Sequence, residues 1–130
     1  WHFIVVKNKA TLQKIAEITP NARMAKEAPL AIVVCGDMRN ESNDLVREFW
    51  VQDASAATQN ILLAAHAMEL GAVWTGTYPA QNRCEAISQL LNLPSSIIPF
   101  STIVIGYPKE TQQPKDKWKE ENISYEVFGE

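Results

Sequence analysis

The sequence predicts a layered α/β domain in which helices cover both faces of a sheet, and three observations carry that expectation. Dense apolar runs of strand length alternate with segments of helical spacing. Proline or glycine closes most of these runs. One helical segment carries apolar side chains on every side, as buried helices do.

The elements follow in order. His2 to Lys7 has β-branched and aromatic character and stops at the turn-forming pair Asn8-Lys9, which predicts a first strand. Leu12, Ile15, Ala16 and Ile18 then fall near helical spacing between Lys9 and Thr19, and Pro20 ends that helix for want of an amide hydrogen. A short helical piece from Arg23 to Glu27 comes next. Pro29 to Cys35 is a continuous apolar run closed by Gly36-Asp37, the pattern of a central strand covered on both faces.

From Asp44 to Leu70 nothing compels a helix to stop, although a break near Trp50 to Asp53 is compatible with the residues. Asn43 is placed to cap its start and Gly71 to close its end in the left-handed conformation. Ala57, Ile61, Ala64 and Met68 line one side, and Leu62, Leu63, Ala67 and Leu70 the others. Seven of the fifteen residues from Ala54 to Met68 are Ala or Ser, small enough for another helix to approach closely, so the expectation is burial against a symmetry mate. Ala72 to Thr77 reads as a short strand with Gly76 inside it, where a missing side chain marks the close approach of a ligand or another backbone. Asn82 with Glu85 forms a capping signature for a helix running to Leu91 before Pro94. Phe100 to Ile105 is a last strand, closed by Gly106-Tyr107-Pro108. Residues 1–108 are thus the expected core. Residues 109–130 are an extension that only Trp118, Ile123, Tyr125, Val127 and Phe128 can anchor.

Composition narrows the function. The 130 residues are 46% hydrophobic and 21% charged, ordinary for one globular domain. Fifteen acidic against twelve basic side chains give a net charge of −3 and a pI near 5.4, so no basic field exists to hold a nucleic acid. The uncharged stretch of the long helical segment, Ala54 to Met68, is shorter than the roughly 18 residues of a membrane span. Two unpaired cysteines, Cys35 and Cys84, fit a reduced cytoplasmic setting. A strand already under way at Trp1 suggests a segment upstream.

Several chemical devices are absent. The glycines at 36, 71, 76, 106 and 129 are too scattered for a phosphate loop or a dinucleotide fingerprint. His2 and His66 have no second ligand at metal spacing and read as structural histidines. Cys35 reads as buried filler, and Cys84, in the first turn of a helix, has no base beside it.

The stretch from Asp53 to Ala65, followed by Leu70-Gly71-Ala72-Val73-Trp74-Thr75-Gly76, resembles the flavin-binding nitroreductase family. Trp1 opening a strand is similar to that family's segment after an early Gln-Pro-Trp motif. Glu27-Ala28-Pro29 before a Val-rich strand, and Ile105-Gly106-Tyr107-Pro108 before a Lys-rich stretch, are similar as well. The resemblance covers essentially the whole chain. It lacks a counterpart to the family's N-terminal Arg-Ser-x-Arg phosphate motif.

The resemblance implies an α+β, three-layer α/β/α fold, a mixed central sheet flanked by helices, and a homodimer joined through the long helix around Ala54 to Met68. It implies FMN in grooves at that interface, NAD(P)H as co-substrate and an electron-poor aromatic, nitroarene or quinone, as acceptor. Val73, Trp74, Thr75 and Gly76 would run beside the isoalloxazine, an amide of Thr75 or Gly76 donating to flavin N5. Lys115 and Lys117 match a basic pair that grips the FMN phosphate, and in extended chain side chains two apart converge on one dianion. No catalytic acid or base is needed. Trp50, Tyr78 and Tyr107 are candidate stackers. The alternatives are a non-catalytic flavin-binding or dimeric interaction module of the same architecture, or an unrelated small-ligand domain.

Overall fold

The computed structural model describes residues 1–39 and 43–129. Strand β1 spans His2–Val6 and helix α1 Lys9–Ile18. The Asn8 carboxamide caps α1, accepting from the Thr11 amide at 3.1 Å, and the helix turns Leu12 and Ile15 into the core. A 3₁₀ segment, Pro20–Lys26, leads to β2, Leu30–Asp37, whose Ala31, Val33, Val34 and Cys35 are all fully buried. This is the central strand the apolar run predicted.

The next helical stretch is two helices, α2 at Asp44–Glu48 and α3 at Trp50–Ala67, with Phe49 between them. Asn43 caps α2, its carboxamide accepting from the Leu45 amide at 2.9 Å. The left-handed residue that closes α3 is Glu69, with φ 60°, and not Gly71. Leu70 N–H reaches Ala65 O and Glu69 N–H reaches His66 O, the paired bonds of a Schellman end. The helix therefore stops earlier than expected, and Gly71 opens the next strand.

Strand β3 is Gly71–Gly76, α4 is Gln81–Leu91 and β4 is Ile97–Gly106. The capping box expected at Asn82 does not form: α4 starts a residue earlier, so Asn82 is already helical, and Glu85 accepts from the Gln81 side chain instead. Asn92, at φ 54°, closes α4. Strand β4 begins three residues before Phe100, running through Pro99. Val34 pairs with Ser101 and Cys35 with Pro99, leaving Phe100 as the extra residue of a bulge. Proline is tolerated at such an interruption because the ladder there is already broken.

The sheet order is β1-β2-β4-β3, and all three pairings are antiparallel. The mixed character that the resemblance implied is thus not present among these strands. Helices do lie on both faces. On one, α1, the 3₁₀ segment and α4 enclose a core around Leu12, Ile15, Val33, Cys35, Ile87 and Val104. On the other, α3 covers Val34, Ile103 and Ile105. Three layers result, an α+β domain.

Helix α3 is not buried all round by its own chain. Ala54, Thr58 and Ala65 are buried against the sheet, whereas Leu63 is 57% and Met68, just past the end, 69% exposed. The extension likewise finds no anchor: Trp118, Ile123, Tyr125, Val127 and Phe128 are all exposed, and its last residue, Glu130, lies outside the described residues. Among the described residues no helix is long and apolar enough to cross a membrane.

Candidate functional site

The bulge at Phe100 shapes one end of the sheet. Because it adds a residue, Phe100 and Ser101 both face α3, and an aromatic group gathers there. Trp50, the first residue of α3, meets Tyr78 edge-on at 4.8 Å between ring centroids and Phe100 at 5.9 Å. Trp74 of β3 meets Phe100 at 5.8 Å. Gly36 makes room for this group: a β-carbon there would collide with the Trp50 ring. Beneath it, Thr58 Oγ1 and Ser101 Oγ bond across the layers at 2.9 Å, and Thr75 Oγ1 donates to Thr102 O at 2.7 Å. Thr77 and Thr102 keep buried hydroxyls without a partner.

Among the described residues strand β3 is an edge of this sheet, bonded on one side only. In an antiparallel ladder, residues alternate between exchanging bonds with their opposite number and facing away. Here Thr77 N–H reaches Phe100 O at 3.1 Å, and Gly76 stands opposite Ser101. That phase turns the Thr75 amide toward Thr102 and turns the N–H and C=O of Gly76, like those of Trp74, to the bare rim. The Arg83 guanidinium confirms it from outside, donating to Gly76 O at 3.2 Å.

Gly76 has no reason within its own chain to be glycine. Its φ is not left-handed, and a β-carbon built on it meets nothing within 4 Å. A side chain there would project into open space off the face of the sheet. Residues Val73 to Gly76 therefore share the rim, Thr75 with its amide spent in the ladder and Gly76 with its amide presented. The donor and the open space fit the acceptor-rich edge of a flavin ring.

Other expected residues lie apart. Among the described residues Lys115 and Lys117 make no hydrogen bond or ion pair, and nothing in the single chain joins them to Gly76. The extension leaves from Gly106, which pairs with Gly71, so it departs at the end of β3 about 16 Å from Gly76. Trp50 and Tyr78 are together near the rim; Tyr107 stands exposed at the opposite end. A cavity of about 390 Å³ lies beside Gly71, Gly106 and Tyr107, and a groove of about 470 Å³ between Trp1, Phe3 and α3. Neither reaches Gly76, so a ligand there would lie along an open rim.

His2 and His66 are exposed rather than built into the core, and no metal cluster exists among the described residues. Burial pushes the Cys35 thiol up to about 12, and burial also raises Cys84, so neither is an activated nucleophile. Arg83 escaped the sequence reading. Its one signal was a cation in the first turn of a helix, where the dipole disfavours it.

The fold is a three-layer α+β domain with the amides of Trp74 and Gly76 facing out along a strand rim. The chain belongs to the nitroreductase family, whose model matches residues 19–107. It is 50% identical over 128 residues to a protein of Methanothermobacter thermautotrophicus with the provisional name NADH dehydrogenase/NAD(P)H nitroreductase. That match covers 98% of this chain and 65% of the relative, so the chain spans about two thirds of that protein's length. A crystal structure of a similarly named protein from Bacteroides thetaiotaomicron superposes with a TM-score of 0.90 at 43% identity, covering 98% of this chain and 73% of the other. An FMN-dependent nitroreductase from Clostridium difficile gives 0.85 at 29% identity, covering 98% and 76%. The nitroreductase-like fold expected from the sequence is the fold found.

Proposed function

We propose that the protein is an FMN-dependent NAD(P)H oxidoreductase acting on electron-poor aromatics of the nitroarene or quinone class. The observation that carries the proposal is Gly76, a glycine with ordinary backbone, open space at its β-position and an amide aimed away from its own sheet. The family, and the FMN dependence of the Clostridium relative, support the identity of the ring. When bound, the flavin supplies reversible hydride transfer between a nicotinamide and the aromatic acceptor.

The chain's own residues have simpler tasks. Gly76 N–H would donate to an acceptor on the ring edge, and Trp74 and the Trp50–Tyr78 pair wall the rim with aromatic surface. Lys115 and Lys117 supply charge for the phosphate. The exposed face of α3 pairs with a second copy, which covers Leu63 and Met68 and makes the rim one wall of a groove.

The test is a visible spectrum of the full-length protein with FMN, followed by anaerobic addition of NADH or NADPH. A flavin spectrum that bleaches with a nicotinamide and recovers with a nitroarene or quinone is the expected result. Failure to bind FMN overturns the proposal. Binding without bleaching favours a flavin-binding module without turnover.

A further inference from the structure

The bare rim of β3 presents both a donor and an acceptor at Gly76, and a ring edge rich in acceptors wants only the first. Arg83 covers the second. Its Nη1 donates to Gly76 O at 3.2 Å, and among the described residues this is the guanidinium's one bond and it has no carboxylate partner. Helix α4 carries no acidic residue in its first turn, so no carboxylate there competes with the Gly76 carbonyl for the guanidinium. An arginine kept there without an ion pair concentrates positive potential on one peptide of the rim.

Resting on the proposed flavin site, we infer that Arg83 is a positioning residue that masks the Gly76 carbonyl and so makes the rim selective for the electron-rich, reduced form of the ring. Hydride transfer would bring two electrons and one proton and leave the reduced ring with a net negative charge, which an uncovered carbonyl would oppose and a guanidinium favour. With its carbonyl covered by a guanidinium, Gly76 offers the ligand only its N–H, which belongs to the preceding peptide, and a net positive field. The oxidised ring, with less density at its edge, gains less from the arrangement.

The experiment compares the full-length protein with Arg83→Met, Arg83→Gln and Arg83→Lys. Each is measured for FMN affinity by fluorescence quenching and for the flavin midpoint potential by spectroelectrochemical titration, thermal melting serving as the check on folding. Arg83→Met is expected to weaken the reduced form relative to the oxidised form about tenfold, a potential lower by about 30 mV for a two-electron couple. Arg83→Lys should restore most of the potential, and Arg83→Gln, which can cap the carbonyl without charge, should fall between. Folded variants that bind FMN at the wild-type potential overturn the inference and leave the flavin proposal standing. Should Arg83→Met fail to fold, the Lys and Gln variants decide by the same reading. A wild-type protein that binds no FMN overturns both.

Discussion

Gly76 makes opposite predictions for stability and for binding. Gly76→Ala places a methyl group into open space and removes unfolded-state freedom, so the free protein should gain about 0.5–1 kcal/mol in chemical denaturation. The same methyl should weaken FMN binding at least about tenfold, because it stands where the ring must approach. Gly36→Ala is the contrast: its methyl collides with Trp50, which is packed and cannot swing freely, and the expected loss is about 1–3 kcal/mol. The thiols give a third outcome at this scale. With Cys35 at 0% exposure and its acidity suppressed, a thiol reagent at pH 8 should label Cys84 slowly and Cys35 only after denaturation. Of these residues Gly76 was legible in the sequence, since a glycine inside a strand needs explaining. Gly36 reads only as the end of a strand, and Arg83 touches its partner through a turn that no local pattern foretells.

Elements were legible where hydrophobic spacing decides them and obscure where the backbone does. The run from Leu30 to Cys35 could be nothing but a central strand, and α1 ends at its proline as expected. The end of α3 departs from the sequence expectation because a glycine invites the left-handed role, whereas Glu69 takes it at the point where the last carbonyls need donors. The start of β4 was hidden by Pro99, admitted only because Phe100 bulges. Helix α3 itself was read as apolar on all sides, and in the single chain one side is open. If a second copy covers that side, Leu63→Glu should raise the dimer dissociation constant by a factor of about ten or more in sedimentation, with the helical content of the chain unchanged.

At the scale of the whole molecule the layered architecture was legible and the pairing pattern was not, because strand direction depends on which strands become neighbours. Order β1-β2-β4-β3 puts the two apolar runs side by side at the centre and leaves β3 on a rim. Acid stability is also a property of the whole fold. The Arg39 side chain bonded to Asp37 holds that carboxyl well below the usual carboxylate range. A lowered folded-state pKa stabilises above the unfolded value and is lost as pH falls, so this contribution should fade below about pH 4. Asp37→Asn should flatten the acid limb of the stability profile by slightly lowering the melting temperature at neutral pH while leaving that of the acid-protonated protein unchanged, the effect being small because Arg39 is exposed.

The unpaired outer side of β3 has a further effect on the life of the polypeptide in the cell. A strand with vacant amides and carbonyls is a template for any other extended chain, and β3 carries Val73 and Trp74 with no lysine or proline to deter one. Whatever seats itself there also shields the molecule from self-assembly. Synthesis in flavin-starved cells should accordingly drive more of this product into insoluble deposits than synthesis in replete ones.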